Sequence, residues 1–416
     1  MKLLAPFGSL IGEVKLPVSK SIANRYQIIA ALAAHPLNLN QSSISPPEKE
    51  GSGEVLNLPE DVRVLRDALN SDSSEINIGM AGTAMRFFTA YHSVQEGKEV
   101  VLTGDNRMKQ RPIAELVGAL KILGAEIEYV EKEGFPPLRI KGKKLKGGEI
   151  EISASVSSQF ISALMMIGPL MENGLQLNLI GKILSKPYIE LTADCMQNCG
   201  VEARFEENSI SVSSGKYKVP KLQIEADWSA ASYFYALAAA KSNSKLLFKG
   251  LKINSSQGDS ILVDWFGKMG ISSIQKENGV EISSSDELKF PAELDFTANP
   301  DLAQTFAFLA ATLGKELKLT GLDNLRLKET NRVSALQIEL EKLGLNVGVE
   351  GNSLTVSGSI SAQSATIKTY NDHRMAMSAA VLSTVVQIEI ENLQVVEKSF
   401  PTFLQQLQNL KFKIDE

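Results

Sequence analysis

The residues of this chain whose types and spacing suit chemistry are cations gathered at helix starts and in short loops. Lys20, Arg86 and Arg374, with Arg25 just downstream, fall in the first turns of segments that read as helices. A positive charge there opposes the helix macrodipole, at a cost of about 0.3–1 kcal/mol each, so its recurrence points to a use. Loops add Arg107, Lys109 and Arg111 in GDNRMKQRP, Arg326, Lys328 and Arg332 in LRLKETNR, and Lys398 in VVEKSFP. Each alone reads as a solvated surface charge. As a set at repeated positions, they suit a cleft that binds more than one phosphate or carboxylate. Asp301 and Asp372 stand where N-caps are expected, and Glu329 lies between Lys328 and Thr330 in a cation-rich loop. Capping and ion pairing would account for them. Carboxylates among cations and apolar helices equally suit general acid–base work, because both surroundings tune their pKa. His373 could bind phosphate, act on a proton or simply pack, whereas His35 and His92 read as structural or surface residues.

Regular elements must position these groups. Residues 75–88, EINIGMAGTAMRFF, alternate polar and apolar side chains up to Ile78, break at Gly79 and Gly82, and continue as an apolar run. That pattern predicts a short strand, a glycine turn and a buried helix, whose first N–H groups can face an anion. Six such helices are expected, beginning at Ser19, Ala81, Ser157, Ser229, Asp301 and Asp372, roughly seventy residues apart. After most of them come a short strand, a loop, an amphipathic helix ending near Leu-Gly, and two strands. The repeat predicts an α/β (α+β) protein with two domains of three βαβαββ copies each. The last copy lacks its final strands and residues 2–16 supply strands with no helix before them, so the two ends are expected to complete one unit. The expected domains are 19–226, and 1–18 together with 227–416; residues 42–58 read as a surface loop.

Composition narrows the function classes. With 416 residues, 44% hydrophobic, 22% charged and a formal net charge of -5, the chain reads as a soluble globular protein with no nucleic-acid or membrane partner. No apolar run is long enough to span a bilayer, the N-terminus is a poor signal peptide, and Cys195 and Cys199 read as reduced thiols, which together predict a cytoplasmic protein. There is no P-loop, no intact G-x-G-x-x-G turn, no metal-ligand spacing and no serine in a nucleophile elbow, so no cofactor or metal is expected.

The motifs LPVSKSIANR, GMAGTAMRFF, GDNRMKQRP, SSQFISALM, SKPYIE, NPDLAQTFA, LRLKETNR, YNDHRMAM and VVEKSFP occur here in the order found in 5-enolpyruvylshikimate-3-phosphate synthases. The resemblance runs from about Lys15 to Phe400. It implies an inside-out α/β barrel in each domain, a two-stranded hinge, and substrates bound between domains that close on them. It also implies transfer of the enolpyruvyl group of phosphoenolpyruvate to the 5-hydroxyl of shikimate 3-phosphate, without a metal, by a monomer. On that resemblance, shikimate 3-phosphate would meet Lys20, Ser21, Arg25, Ser157, Ser158, Gln159, Ser185, Tyr188, Asp301, Asn324 and Lys328. Phosphoenolpyruvate would meet Lys20, Gly82, Arg111, Gln159, Arg332, Arg374 and Lys398. Asp301, Glu329 and Lys20 would carry the proton transfers. The related transferase acting on UDP-N-acetylglucosamine usually has a reactive Cys in the loop corresponding to GDNRMKQRP, and none is present here. Four positions depart from the family pattern: Val18 for Gly, Met80 for Asn, Ala23 for Ser and Asn331 for Asp. A non-catalytic phosphometabolite binder, or a transferase with another acceptor, remains the alternative.

Overall fold

The computed structural model describes residues 1–34, 58–155 and 157–415. His35 and the expected surface loop at 42–58, apart from Leu58, lie outside the described residues.

Residues 75–88 fold as their pattern requires. The strand Glu75–Asn77 buries Ile76, the Asn77 side-chain oxygen accepts the Gly79 N–H at 2.9 Å, and Gly79 takes the left-handed conformation with φ 53°. The helix Gly82–Ser93 follows, buried on nearly every side. Its strand pairs in parallel with Glu99–Thr103, which pairs antiparallel with Leu138–Lys141, and that with Glu126–Tyr129.

The same order recurs in all five sheets of the described residues: one parallel pair, then two antiparallel strands. The second is Gly148–Ser153, Leu175–Ile180, Ser209–Val212 and Ala203–Phe205. The third is Ile11–Lys15, Lys245–Lys249, Gly279–Ser284 and Ile271–Lys276. The fourth is Glu293–Asp295, Leu317–Thr320, Ser353–Ser357 and Asn346–Glu350. In the fifth, Ser364–Ile367 pairs with Gln387–Ile390, and the third strand is Lys2–Leu4, followed by Lys413–Asp415. The chain start therefore supplies one strand to the last copy, whose own end adds the fourth, whereas residues 11–15, expected to serve the same unit, pair with 245–249 in the third sheet.

The described residues fall into two compact units, one of 1–19, 58–60 and 224–415, the other of 20–34, 61–155 and 157–223. In the first, residues 17–19 run beside 225–227, with Ser19 N–H donating to the Glu225 carbonyl at 2.8 Å and Asp227 N–H to that of Pro17 at 2.9 Å. The second unit packs the helices Lys20–Leu32, Gly82–Ser93 and Ser158–Ile167 against one another. The first packs Trp228–Ala240, Ala303–Leu313 and His373–Ala379 together with Ala and Phe side chains.

A chain of hydroxyls crosses that apolar centre. Ser232 and Thr305 are 3.1 Å apart, Thr305 and Ser378 are 3.2 Å apart, and each pair is separated by 73 residues. The contacts put equivalent turns of the three helices side by side, which brings their N-termini to one place.

Thr305→Val keeps the shape but takes a partner from both neighbouring hydroxyls, of which Ser232 still donates to the Ser229 carbonyl at 2.6 Å. It should cost about 1–3 kcal/mol in urea unfolding, and a change below roughly 0.5 kcal/mol would show that the hydroxyl chain does not hold the helices.

Candidate functional site

In the unit carrying the C-terminus, the site begins with a helix cap. Asn331 accepts the Ser334 N–H at 3.3 Å and starts the helix Arg332–Glu341, so Arg332 lies in its first turn with a side chain only 1% exposed. Arg332 Nε donates to Asp372 at 2.7 Å, Nη1 to Asp301 at 3.0 Å, and Nη2 to Glu329 at 2.9 Å and Asp372 at 3.3 Å. Burial alone would lower its pKa, but Asp372, Glu329 and Asp301 together push it above the ordinary value.

Asp301 also accepts from Arg374 Nη2 at 2.8 Å and lies 3.7 Å from Lys328 Nζ. Burial would raise its carboxyl, yet Arg374, Lys328 and Arg332 outweigh burial and hold it well below the usual carboxylate range. Lys398 Nζ is 3.6 Å from Glu329. Asn324 lies half-buried in the 3₁₀ turn Asp323–Leu327, just ahead of Lys328. Four cations and three carboxylates thus share one buried cluster.

Asp372 caps its helix, accepting the Arg374 N–H at 2.9 Å. Asp301 does not. Asn299 precedes a 3₁₀ turn, Pro300–Leu302, and neither that turn nor the helix Ala303–Leu313 has a side-chain cap. Two guanidinium groups are stronger donors to a carboxylate than backbone N–H groups, and they draw Asp301 away. His373 is buried in the first turn of its helix.

In the other unit, Lys20 begins its helix and donates to Asp61 at 2.9 Å, both side chains being largely buried. Arg25 ties its helix to the next layer, donating to Thr192 at 2.7 Å, to the Tyr188 carbonyl at 2.9 Å, to the Ser21 carbonyl at 2.8 Å and to Ser162 at 3.4 Å. Burial lowers its pKa to about 10. Ser157 caps the helix holding Ser158 and Gln159, and Gln159 Nε2 donates to Thr83 at 3.1 Å. Ser185, before the helix Lys186–Asn198, has φ 55°, a costly left-handed conformation for a residue with a Cβ.

Arg111 is the most telling residue in this unit. It is 6% exposed, and its Nε and Nη1 have no hydrogen-bond partner among the described residues. A Cβ added at Gly82 would lie 2.5 Å from that Nη1, so the guanidinium lies against the start of a helix. Buried donors without partners beside helix N–H groups suit an anion.

Other cations expected in the set have different work. Arg86 is buried and donates to the Gly82 carbonyl at 3.1 Å, Lys109 pairs with Glu131 at 2.6 Å, Arg107 reaches Gln110 at 3.4 Å, and Arg326 donates to the Gly351 carbonyl at 2.8 Å. Short loops place these side chains within reach of their own segment or a neighbouring turn, and the local acceptor takes them. His92 packs against Phe88 and Tyr91, and burial lowers its pKa to about 4. Cys195 and Cys199 are buried free thiols.

Four residues that touch these groups escape sequence reasoning. They are Asp61 on Lys20, Tyr233 at 3.4 Å from Arg374, and the Asp259–Asn299 pair behind Asp301. Asp61, Tyr233 and Asp259 lie far in the chain from the residues they meet, and no spacing signals them; Asn299 stands two residues before Asp301, but its partner Asp259 is 40 residues away.

Fold and site together define an α/β protein of repeated four-stranded units whose buried cations are arranged for anionic groups. Residues 56–407 match the profile of the family described as EPSP synthase (3-phosphoshikimate 1-carboxyvinyltransferase). A 3-phosphoshikimate 1-carboxyvinyltransferase of Bacteroides fragilis is 42% identical over 419 residues, spanning 99% of this chain and 98% of that protein. One of Aliivibrio salmonicida is 36% identical, spanning 98% of each. A solved EPSP synthase of Acinetobacter baumannii superposes with a TM-score of 0.74 at 21% identity, covering 100% of this chain and 99% of that one, which shows a common fold. The chain belongs to the EPSP synthase family.

Removing the central guanidinium should take a hydrogen-bond partner from three carboxylates, leaving Asp301 to Arg374 and Lys328 and Glu329 to Lys398. Arg332→Met is expected to destabilise by about 3–5 kcal/mol at pH 7. The loss should shrink as pH falls towards 4, because protonation relieves the carboxylates; urea unfolding at both pH values measures it, and a pH-independent loss would contradict the cluster.

Proposed function

We propose that this protein is a transferase that moves the enolpyruvyl group of phosphoenolpyruvate onto the 5-hydroxyl of shikimate 3-phosphate and releases phosphate. The observation that carries this reading is the Arg332 cluster, where Asp301 and Glu329 are held among Arg332, Arg374, Lys328 and Lys398. Both substrates are polyanions and would compete with Asp301 and Glu329 for those cations. As Arg374 and Arg332 turn to the incoming phosphate and carboxylate, the Asp301 carboxyl would return towards ordinary basicity, as a group taking the hydroxyl proton requires. Glu329, with Lys20, would deliver a proton to the methylene carbon during addition and remove one during elimination. Fixed cations then stabilise the tetrahedral intermediate and the leaving phosphate.

The remaining assignments follow the same reading. Arg111 and Gly82, with Arg332, Arg374 and Lys398, would bind phosphoenolpyruvate. Ser21, Arg25, Ser157, Ser158, Ser185 and Tyr188, together with Asn324, Lys328 and Asp301, would bind shikimate 3-phosphate, with Lys20 and Gln159 reaching both. The side-by-side passage of 17–19 and 225–227 supports a domain division into 19–226, and 1–18 with 227–416. The net charge of -5 supports a protein with no nucleic-acid partner, and among the described residues no helix is long and apolar enough to cross a membrane. A cytoplasmic monomer completes the reading.

Phosphate release from phosphoenolpyruvate, measured with shikimate 3-phosphate and with UDP-N-acetylglucosamine as separate acceptors, tests it. Release with the first alone, lost in Asp301→Ala, is the expected result. Release only with the second would replace the acceptor, and binding without release would leave a phosphometabolite binder. Met80 stands half-buried beside Ala81 and Gly82, where the family has an amide. Met80→Asn should therefore lower the KM for phosphoenolpyruvate, and an unchanged KM would show that backbone groups suffice.

A further inference from the structure

A buried carboxylate that no step above uses lies behind Asp301. Asp259, in the 3₁₀ turn Gly258–Ile261, is 3% exposed and enclosed by the starts of two other helical segments. Ser229 donates its hydroxyl to one carboxylate oxygen, and Asn299 Nδ2 donates to the other at 3.1 Å. Gln257, two residues earlier, accepts the Trp228 N–H at 3.2 Å and donates to the Ala226 carbonyl at 2.8 Å. This loop therefore ties residues 226–229 to Asn299.

Asn299 stands two residues before Asp301. It precedes the turn Pro300–Leu302, its carbonyl accepts the Leu302 N–H at 3.1 Å, and the turn has no side-chain cap of its own. The hydrogen bond to Asp259 supplies the anchor that a cap would otherwise provide. A second carboxylate near Asp301 is electrostatically unfavourable, and an apolar or neutral residue would avoid that cost. We propose that Asp259 is a positioning residue: acting through Asn299, it fixes the turn that aims Asp301 at Arg332 and Arg374.

The anchor is held at an electrostatic cost. Burial, and then the charge of Asp301, push the Asp259 carboxyl up to about 6, against the hydrogen bonds from Ser229 and Asn299 and the attraction of Arg374. Loss of Asp259 would relieve this conflict with Asp301 but loosen the turn. The catalytic part of this proposal rests on the reading of Asp301 as the proton acceptor.

The test uses the full-length protein and the variants Asp259→Asn, Asn299→Ala and their combination. Hydrogen exchange at the Leu302 amide should be roughly tenfold faster in each variant while protection elsewhere in the unit is retained. The kcat should fall roughly tenfold with KM for both substrates within about twofold, and the double variant should be no worse than either single. Unchanged exchange at Leu302, an unchanged kcat, or additive losses in the double variant would each overturn the proposal. Should Asp259→Asn fail to fold, Asn299→Ala carries the same expectations. An inactive wild-type protein would strike the functional reading instead, and exchange at Leu302 would still show whether Asp259 holds the turn.

Discussion

The buried Arg332 guanidinium is the interaction on which the site of the C-terminal unit depends, because Asp301, Glu329 and Asp372 all take hydrogen bonds from it. Three carboxylates this close to one another repel, and its single positive charge faces all of them. The guanidinium suits the position because its planar fork presents several donors in fixed directions, which a lysine ammonium cannot do. A buried ion cluster is a weak way to stabilise a fold, since desolvation consumes most of the Coulomb gain. What it provides is a preorganised set of cations already removed from water, where an incoming anion gains far more than at a surface.

That cluster exists because the repeat brings helix starts together. The helices Ala303–Leu313 and His373–Ala379 each link the two strands of a parallel pair, Trp228–Ala240 leads into a strand of such a pair, and the hydroxyls of Ser232, Thr305 and Ser378 hold equivalent turns adjacent. Arg374 then meets Asp301 although they lie 73 residues apart. Asp372 joins the two levels, capping its own helix and holding Arg332 at once. The departure at Asn331 is harmless on this view. Its work is to cap the helix that carries Arg332, and Asn caps as well as Asp.

The two units make their anion groups differently. Around Arg332 the cations are matched by carboxylates, so the site is charged yet internally paired. Arg111, by contrast, has buried Nε and Nη1 atoms without a partner among the described residues. Gly82 makes room for it, since any side chain there would collide with the guanidinium. Backbone N–H groups of a helix start and an arginine are thereby combined in one place, a joint arrangement that neither a glycine turn nor a surface arginine would make alone.

Much of this was legible in the residues themselves. Alternation, glycine breaks and apolar runs are local, so strands such as Glu75–Asn77, the six buried helices and the use of the chain start to fill out a sheet could all be read from them. The grouping of cations by helix start was legible too, because it rests on repeated position. Tertiary structure alone decided which charges meet. Arg86 and Arg332 look alike in sequence, yet one is drawn to the carbonyl of its own helix start and the other to three carboxylates. Asp301 reads as a cap and is an ion-pair partner, Asn299 stands in a motif whose partner is not signalled, and Asp61, Tyr233 and Asp259 had no signal at all. The reason is range: helix and strand signals act over a few residues, whereas a buried charge is placed by whichever partner the packed chain brings within about 3 Å.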